Sequence, residues 1–221
     1  MRRRVVALIA LCTDVTVAAL AWPRLPERVP LHWDFHGRVD RFGSRLELLV
    51  WGPAMIVGTW LVLEMARRVD PRWLKRRLVE EGAPRTETEG ARETVECLII
   101  SFMAVVHVGL LLIGAGAFRD PSRILAILLA AFLLVLGNFM GRVRPNWFMG
   151  IRTPWTLSSD EVWRRTHRLA ARLMVALGLV LFPLAAVLPD RAALVASLTA
   201  LLAAGLLPAA WSYVYWRRAA V

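Results

Sequence analysis

His32, Asp34 and His36 alternate within PLHWDFHGR, so on an extended strand their three side chains share one face. Two imidazoles and a carboxylate on one face are a cradle for Zn²⁺ or another divalent ion. No distant fourth ligand stands out, and the competing expectation is that His32 and Trp33 lie at headgroup depth and hydrogen-bond within their loop. A second set of polar residues falls inside or at the ends of long apolar runs: Asp14, flanked by Thr13 and Thr16, then Glu96, His107 and Asn138. An ionisable group in hydrocarbon is costly unless it is paired or faces water, which makes each a candidate for function. For Asp14, a hydrogen bond to a neighbouring helix and a functional role are equally open. For His107 the expectation is a neutral imidazole bonded to a helix partner, with a proton relay as the alternative.

The densest constellation is NFMGRVRPNWFMGIRTPWTLSSDEVWRRTHR, residues 138–168. It turns at Pro145, Gly150 and Pro154 and carries Asn146, Arg152, Thr153, Trp155, Trp163 and His167. Arginine is a planar, permanent donor suited to carboxylate or phosphate, and tryptophan offers a face for stacking or cation–π contact. A helix is expected to start at Ser158/Ser159, with Ser158 and Glu161 as a capping box. Trp163 and His167, four residues apart, then share a face. This is the composition of a binding site. An equally open alternative is structural, with Asn146 and Arg152 tying the loop to helix ends while the tryptophans float at headgroup depth. There is no nucleophile elbow, Walker loop or paired-His helix motif, so neither enzyme chemistry nor a cofactor is expected.

What must position these residues is a membrane bundle. The chain has 221 residues, 57% of them hydrophobic, and its charges are concentrated between apolar runs. Those runs, at about 5–22, 46–66, 95–117, 123–141, 169–188 and 192–214, define an all-α integral membrane protein with six transmembrane helices. The first also reads as a signal peptide, because Ala19-Leu20-Ala21 has a small-residue cleavage pattern, but its length and Asp14 favour a retained helix. A net charge of +11 would suit nucleic acid. With residue 1 inside, however, nineteen Lys/Arg fall on cytoplasmic stretches and eight on outer ones, so the excess follows topology and both termini are expected in the cytoplasm. Direct nucleic-acid binding is not expected. Cys12 and Cys97 both lie in apolar runs and make no metal or redox spacing.

Three regions follow. Residues 1–66 hold two spans joined by an extracytoplasmic loop, 23–46, in which Pro23, Pro26 and Pro30 favour extended backbone and Gly37 and Gly43 permit tight turns. Residues 67–93 form a cytoplasmic loop. Within it, 71–81 alternates Trp73, Leu74, Leu78 and Val79 with Arg72, Lys75, Arg76 and Arg77, as a helix lying on the leaflet would. Gly82 and Pro84 end that helix, and 85–93 is expected to be polar linker. Residues 94–221 hold four spans and the motif at 138–168, where the spacing of Gly137 and Gly141 suits close helix approach.

The run from Asn138 to Arg168 closely resembles the signature of SdpI-type bacterial membrane proteins. PLHWDFHGRVDRFGSR in the outer loop resembles the small domain of unknown function that often precedes it. The resemblance implies a multi-pass protein of the bacterial cytoplasmic (inner) membrane, embedded in the lipid bilayer. It also implies immunity to a secreted peptide toxin, with signalling by recruitment of a cytosolic transcriptional repressor. Onto this chain it carries Asn146, Gly150, Arg152, Thr153, Pro154, Trp155, Trp163 and His167 from the inner motif. From the outer loop it carries Pro30, His32, Gly37, Asp40 and Gly43. His36 is not part of that pattern, which weakens the metal reading. Two other functions compete: a small transporter or ion-coupled permease using Asp14, Glu96 and His107, and a metal-dependent membrane enzyme built on His32, Asp34 and His36.

Overall fold

A computed structural model describes residues 2–34, 38–69, 85–117, 121–146 and 149–219. Six helices in it are long and apolar enough to cross a membrane. In chain order they are α1 (Arg2–Ala21), α2 (Arg45–Val69), α3 (Arg85–Gly114), α4 (Pro121–Met140), α6 (Asp160–Val187) and α7 (Asp190–Ala219), with a one-turn α5 (Pro154–Ser158) before α6. Alternation of the six puts both described chain ends and the α4–α6 loop on one face, here the terminal face. The α1–α2 connection lies on the opposite face.

That connection is not irregular. After a 3-10 turn at Trp22–Arg24, β1 (Arg28–Trp33) and β2 (Val39–Ser44) form an antiparallel hairpin. Asp34 and Arg38 close it, the Asp34 amide donating to the Arg38 carbonyl at 2.8 Å and the Arg38 amide to the Asp34 carboxylate at 2.8 Å. The register slips on either side of His32. Pro30 is tolerated because a two-stranded sheet consists of edge strands, where a missing N–H need not cost a ladder bond. Contrary to the expectation from sequence, Gly43 does not make a turn. It lies in β2, where a Cβ would collide with Leu31 and the Glu47 carboxylate.

The helices pack as two groups joined through α3 and α4. On the hairpin side of the first group, Ala18, Ala21, Leu25, Val29, Leu48 and Leu111 form a buried cluster. Towards the terminal face, Ala10, Ile56, Ile100 and Ala104 form another. The second group is built on the close approach of α4 and α6. A Cβ on Gly178 would lie 2.6 Å from the Leu134 nitrogen, and one on Gly137 would lie 2.8 Å from the Met174 Cβ. Gly141, one turn beyond Gly137, faces Ala171 at an ordinary 3.5 Å, so the glycine pair does mark a helix contact. On α7 the buried positions Ala193, Ser197, Ala200, Ala204, Pro208 and Ser212 recur at nearly four-residue intervals along one stripe, as a helix facing a single partner surface requires.

Two local expectations are corrected. The polar stretch 85–93 is the first part of α3, not linker. The start of α6 is capped by Ser159, whose hydroxyl accepts from the Val162 amide at 3.4 Å. Ser158 instead donates to the Trp155 carbonyl, and Glu161 turns outward to Arg164 and Arg165. The capping box belongs to α5, where Thr153 and Thr156 satisfy each other's amides. The amphipathic stretch 71–81, with Gly82 and Pro84, lies outside the described residues, as do Phe35, His36 and Gly37.

Candidate functional site

The α4–α6 loop folds around two side chains that helix α6 presents from below. Trp163 and His167 are fully buried and stack with ring centroids 4.1 Å apart. The Trp163 indole donates to the Val143 carbonyl at 2.8 Å. The Ile151 amide donates to His167 Nε2 at 3.0 Å, so Nδ1 carries the proton and donates to the Trp163 carbonyl at 2.9 Å. Gly150 (φ +100°) leaves space for this ring, and a Cβ there would strike His167 Nε2. Asn146 closes the preceding turn: it accepts from the Met149 amide at 2.6 Å and donates to the Arg144 and Met149 carbonyls at 3.0 Å each.

The other end of the loop is pinned to α7. Thr153 and Ser212 hydroxyls lie 2.9 Å apart, and Thr156 donates to the Ile151 carbonyl at 2.9 Å. Trp155 packs on Tyr213, which packs in turn on Trp216. The constellation seen in the sequence is therefore one assembled unit, but its members divide. Asn146, Trp163 and His167 spend their polar atoms inside the protein. Arg152 and Pro154 are exposed and Trp155 half-buried, so these offer a surface. Trp163 does not float at headgroup depth. It is the largest fully buried side chain among the described residues. Asn138, expected as an intramembrane polar group, donates to the Leu134 carbonyl of its own helix at 3.0 Å.

Asp14 and His107 come together in the first helix group. His107 Nδ1 lies 2.6 Å from Asp14 Oδ1, and its Nε2 donates to the Leu48 carbonyl at 2.8 Å, so α1, α2 and α3 meet at one imidazole. Both side chains are fully buried. With Nε2 protonated, a single proton is shared along the Asp14–His107 contact, and the pair is neutral overall wherever that proton sits. Gly52 makes the junction possible, because any Cβ there would overlap the ring. Pro53, inside α2, disturbs the same turn. The sequence reading missed Gly52, although a Gly-Pro pair inside an apolar run was visible.

Glu96 is also fully buried, at the terminal-face end of α3, and takes bonds from Arg3, Arg67 and Arg92 at 2.9–3.1 Å. Arg3 bonds Glu64 as well, and its backbone amide donates to Glu93 at 3.0 Å. Glu96 is thus far from the Asp14–His107 pair, and the structure does not join the three into one polar path. Beside this cluster is a cleft of about 410 Å³ lined by Arg3, Arg4, Glu64, Arg67 and Glu93. In the hairpin, exposed His32 pairs with Asp40 across the strands at 2.7 Å, and Arg41 pairs with Glu47. Among the described residues, no three His, Cys, Asp or Glu side chains group as metal ligands, and His36 lies outside them.

These features define a multi-pass, six-helix membrane protein with an ordered hairpin on one face and an interlocked Arg/Trp loop on the other. Residues 142–215 match the model of the SdpI/YfhL protein family, and residues 8–57 match a domain of unknown function, DUF1648. The Immunity protein SdpI of Bacillus subtilis (strain 168) is 22% identical over 181 residues, 82% of this chain and 80% of the relative. The chain is thus a multi-pass bacterial membrane protein that is similar to SdpI-type proteins in both matched regions. No solved structure matches it significantly.

Proposed function

We propose that this protein is a non-enzymatic immunity protein of the cytoplasmic membrane, protecting the cell from a membrane-active peptide toxin. The observation that carries the reading is the similarity to an immunity protein across 82% of the chain, alongside family matches at 8–57 and 142–215 that contain the hairpin and the loop. In this arrangement the hairpin face is outside, where a secreted peptide arrives, and both termini and the α4–α6 loop are cytoplasmic. The arginine distribution supports that orientation. The loop then reports inward by recruiting a cytosolic repressor through its outer surface.

The geometry selects which residues test that second step. Arg152 is exposed, so Arg152→Ala should remove recruitment of the cytosolic partner while leaving the protein in the membrane. His167→Ala would instead loosen the loop itself, through the lost bond to Ile151. A fluorescent repressor that still reaches the membrane with Arg152→Ala would remove the loop from the signalling role. Survival of a sensitive Gram-positive host under peptide challenge, with and without expression, tests protection itself. A ligand can shift recruitment only by binding two helix arrangements unequally.

A further inference from the structure

The Asp14–His107–Leu48 junction is positioned directly under the hairpin. Asp14 is seven residues from the end of α1 and His107 seven from the end of α3, which places both roughly 10 Å below the hairpin face. Leu48 is in the first turn of α2, the helix that continues from β2 without a break. Between hairpin and junction lies an apolar cluster that includes Leu25, Val29, Leu48 and Leu111, in which Val29 is a strand residue and is fully buried. The Leu48 side chain thus belongs to the hairpin's seat while its carbonyl holds the imidazole.

The junction is also incompletely satisfied. Asp14 Oδ2 is buried and has no hydrogen-bond partner among the described residues. A buried acceptor left unmade is expensive, and opening the junction to water would relieve it. The same opening would expose a shared proton and a backbone carbonyl. Closed and open arrangements are therefore closer in free energy than they would be at a fully satisfied junction. Low-stability units of this kind are where ligand-driven changes arise.

We propose that this junction is a latch, and that its opening and the lifting of the hairpin from its seat are one motion. This rests on the immunity reading in one respect only: the ligand that would drive the motion is the peptide met by the hairpin. The route inward is then mechanical. Freed from Leu48, His107 no longer ties α2 to α3, and α3 carries the change to α4 and the loop beyond it.

The latch is testable without any toxin. Val29→Cys is introduced into full-length protein in membranes, with Cys12→Ala and Cys97→Ala, and its labelling by a membrane-impermeant maleimide is timed. Val29 is fully buried, so labelling reports hairpin lifting. Asp14→Val breaks the pair and should raise the labelling rate about tenfold or more, the loss of a buried hydrogen-bond network. Asp14→Asn still offers a donor to Nδ1 and should label within about threefold of the parent. Should the Asp14→Val protein fail to reach the membrane, Gly52→Ala presses a methyl group onto the His107 ring and gives the same readout. Equal rates in the parent and the folded Asp14→Val or Gly52→Ala protein would overturn the latch. Survival under peptide challenge is scored separately. A rate difference without protection leaves the latch standing and removes the immunity reading, whereas protection with equal rates does the reverse.

Discussion

His167 commits both ring nitrogens to the backbone, one to Ile151 and one to Trp163, and an imidazolium could not keep the first of these bonds. With the stacked, fully buried Trp163 it is the peg around which the α4–α6 loop closes. Trp163→Ala should cost about 3–5 kcal/mol, from the cavity and the orphaned Val143 carbonyl together, and should lower the thermal midpoint in detergent. The sequence identified these residues as a unit but left binding and packing equally open, because composition does not tell a side chain's direction. Contacts with Val143, Gly150 and Ile151 of the preceding loop decide that direction. Asp14 and His107 were legible as polar residues in apolar runs, whereas their partnership depends on Gly52, marked in the sequence by nothing more than a Gly-Pro pair in an apolar run.

Helix ends carry the second lesson. The expected Ser158 cap was one residue out of place and made no box with Glu161, because Thr153 and Thr156 box a separate turn first, leaving Ser159 to start α6. Thr153→Val should therefore cost about 1 kcal/mol through the lost cap, whereas Ser158→Ala should be nearly neutral in the same thermal measurement. The pairing of the hairpin was not legible beyond extended backbone, because Pro30 and the slipped register break the alternation by which strands are read. The α4–α6 pairing, in contrast, was foreshadowed by Gly137 and Gly141. Gly178→Val should lower stability by about 1–3 kcal/mol or more, since the backbone of α4 leaves no room to yield. An unchanged thermal midpoint for Gly178→Val would mean that the two helices do not approach so closely.

At the scale of the whole molecule, the six spans and the bias of arginine towards the terminal face were plain in the sequence, because hydrocarbon thickness dictates the first and membrane insertion the second. The ionic cluster that closes the first three helices on that face was not, since Arg3, Glu64 and Glu96 are far apart in the chain. Glu96→Gln leaves three guanidiniums around a neutral amide. It should destabilise the protein by about 3–5 kcal/mol, seen as lower recovery of folded protein from membranes. Orientation is checked in intact cells: an impermeant thiol reagent should label Arg38→Cys and not Arg165→Cys.

The most direct measurement is survival of a sensitive Gram-positive host carrying the gene under an inducible promoter and challenged with a peptide toxin of the SDP type. The account predicts protection that depends on expression and is lost on disrupting the hairpin at 28–44 or the loop at 145–168, with the variant proteins still present in the membrane. Unchanged killing, with the intact protein confirmed in the membrane, would contradict it.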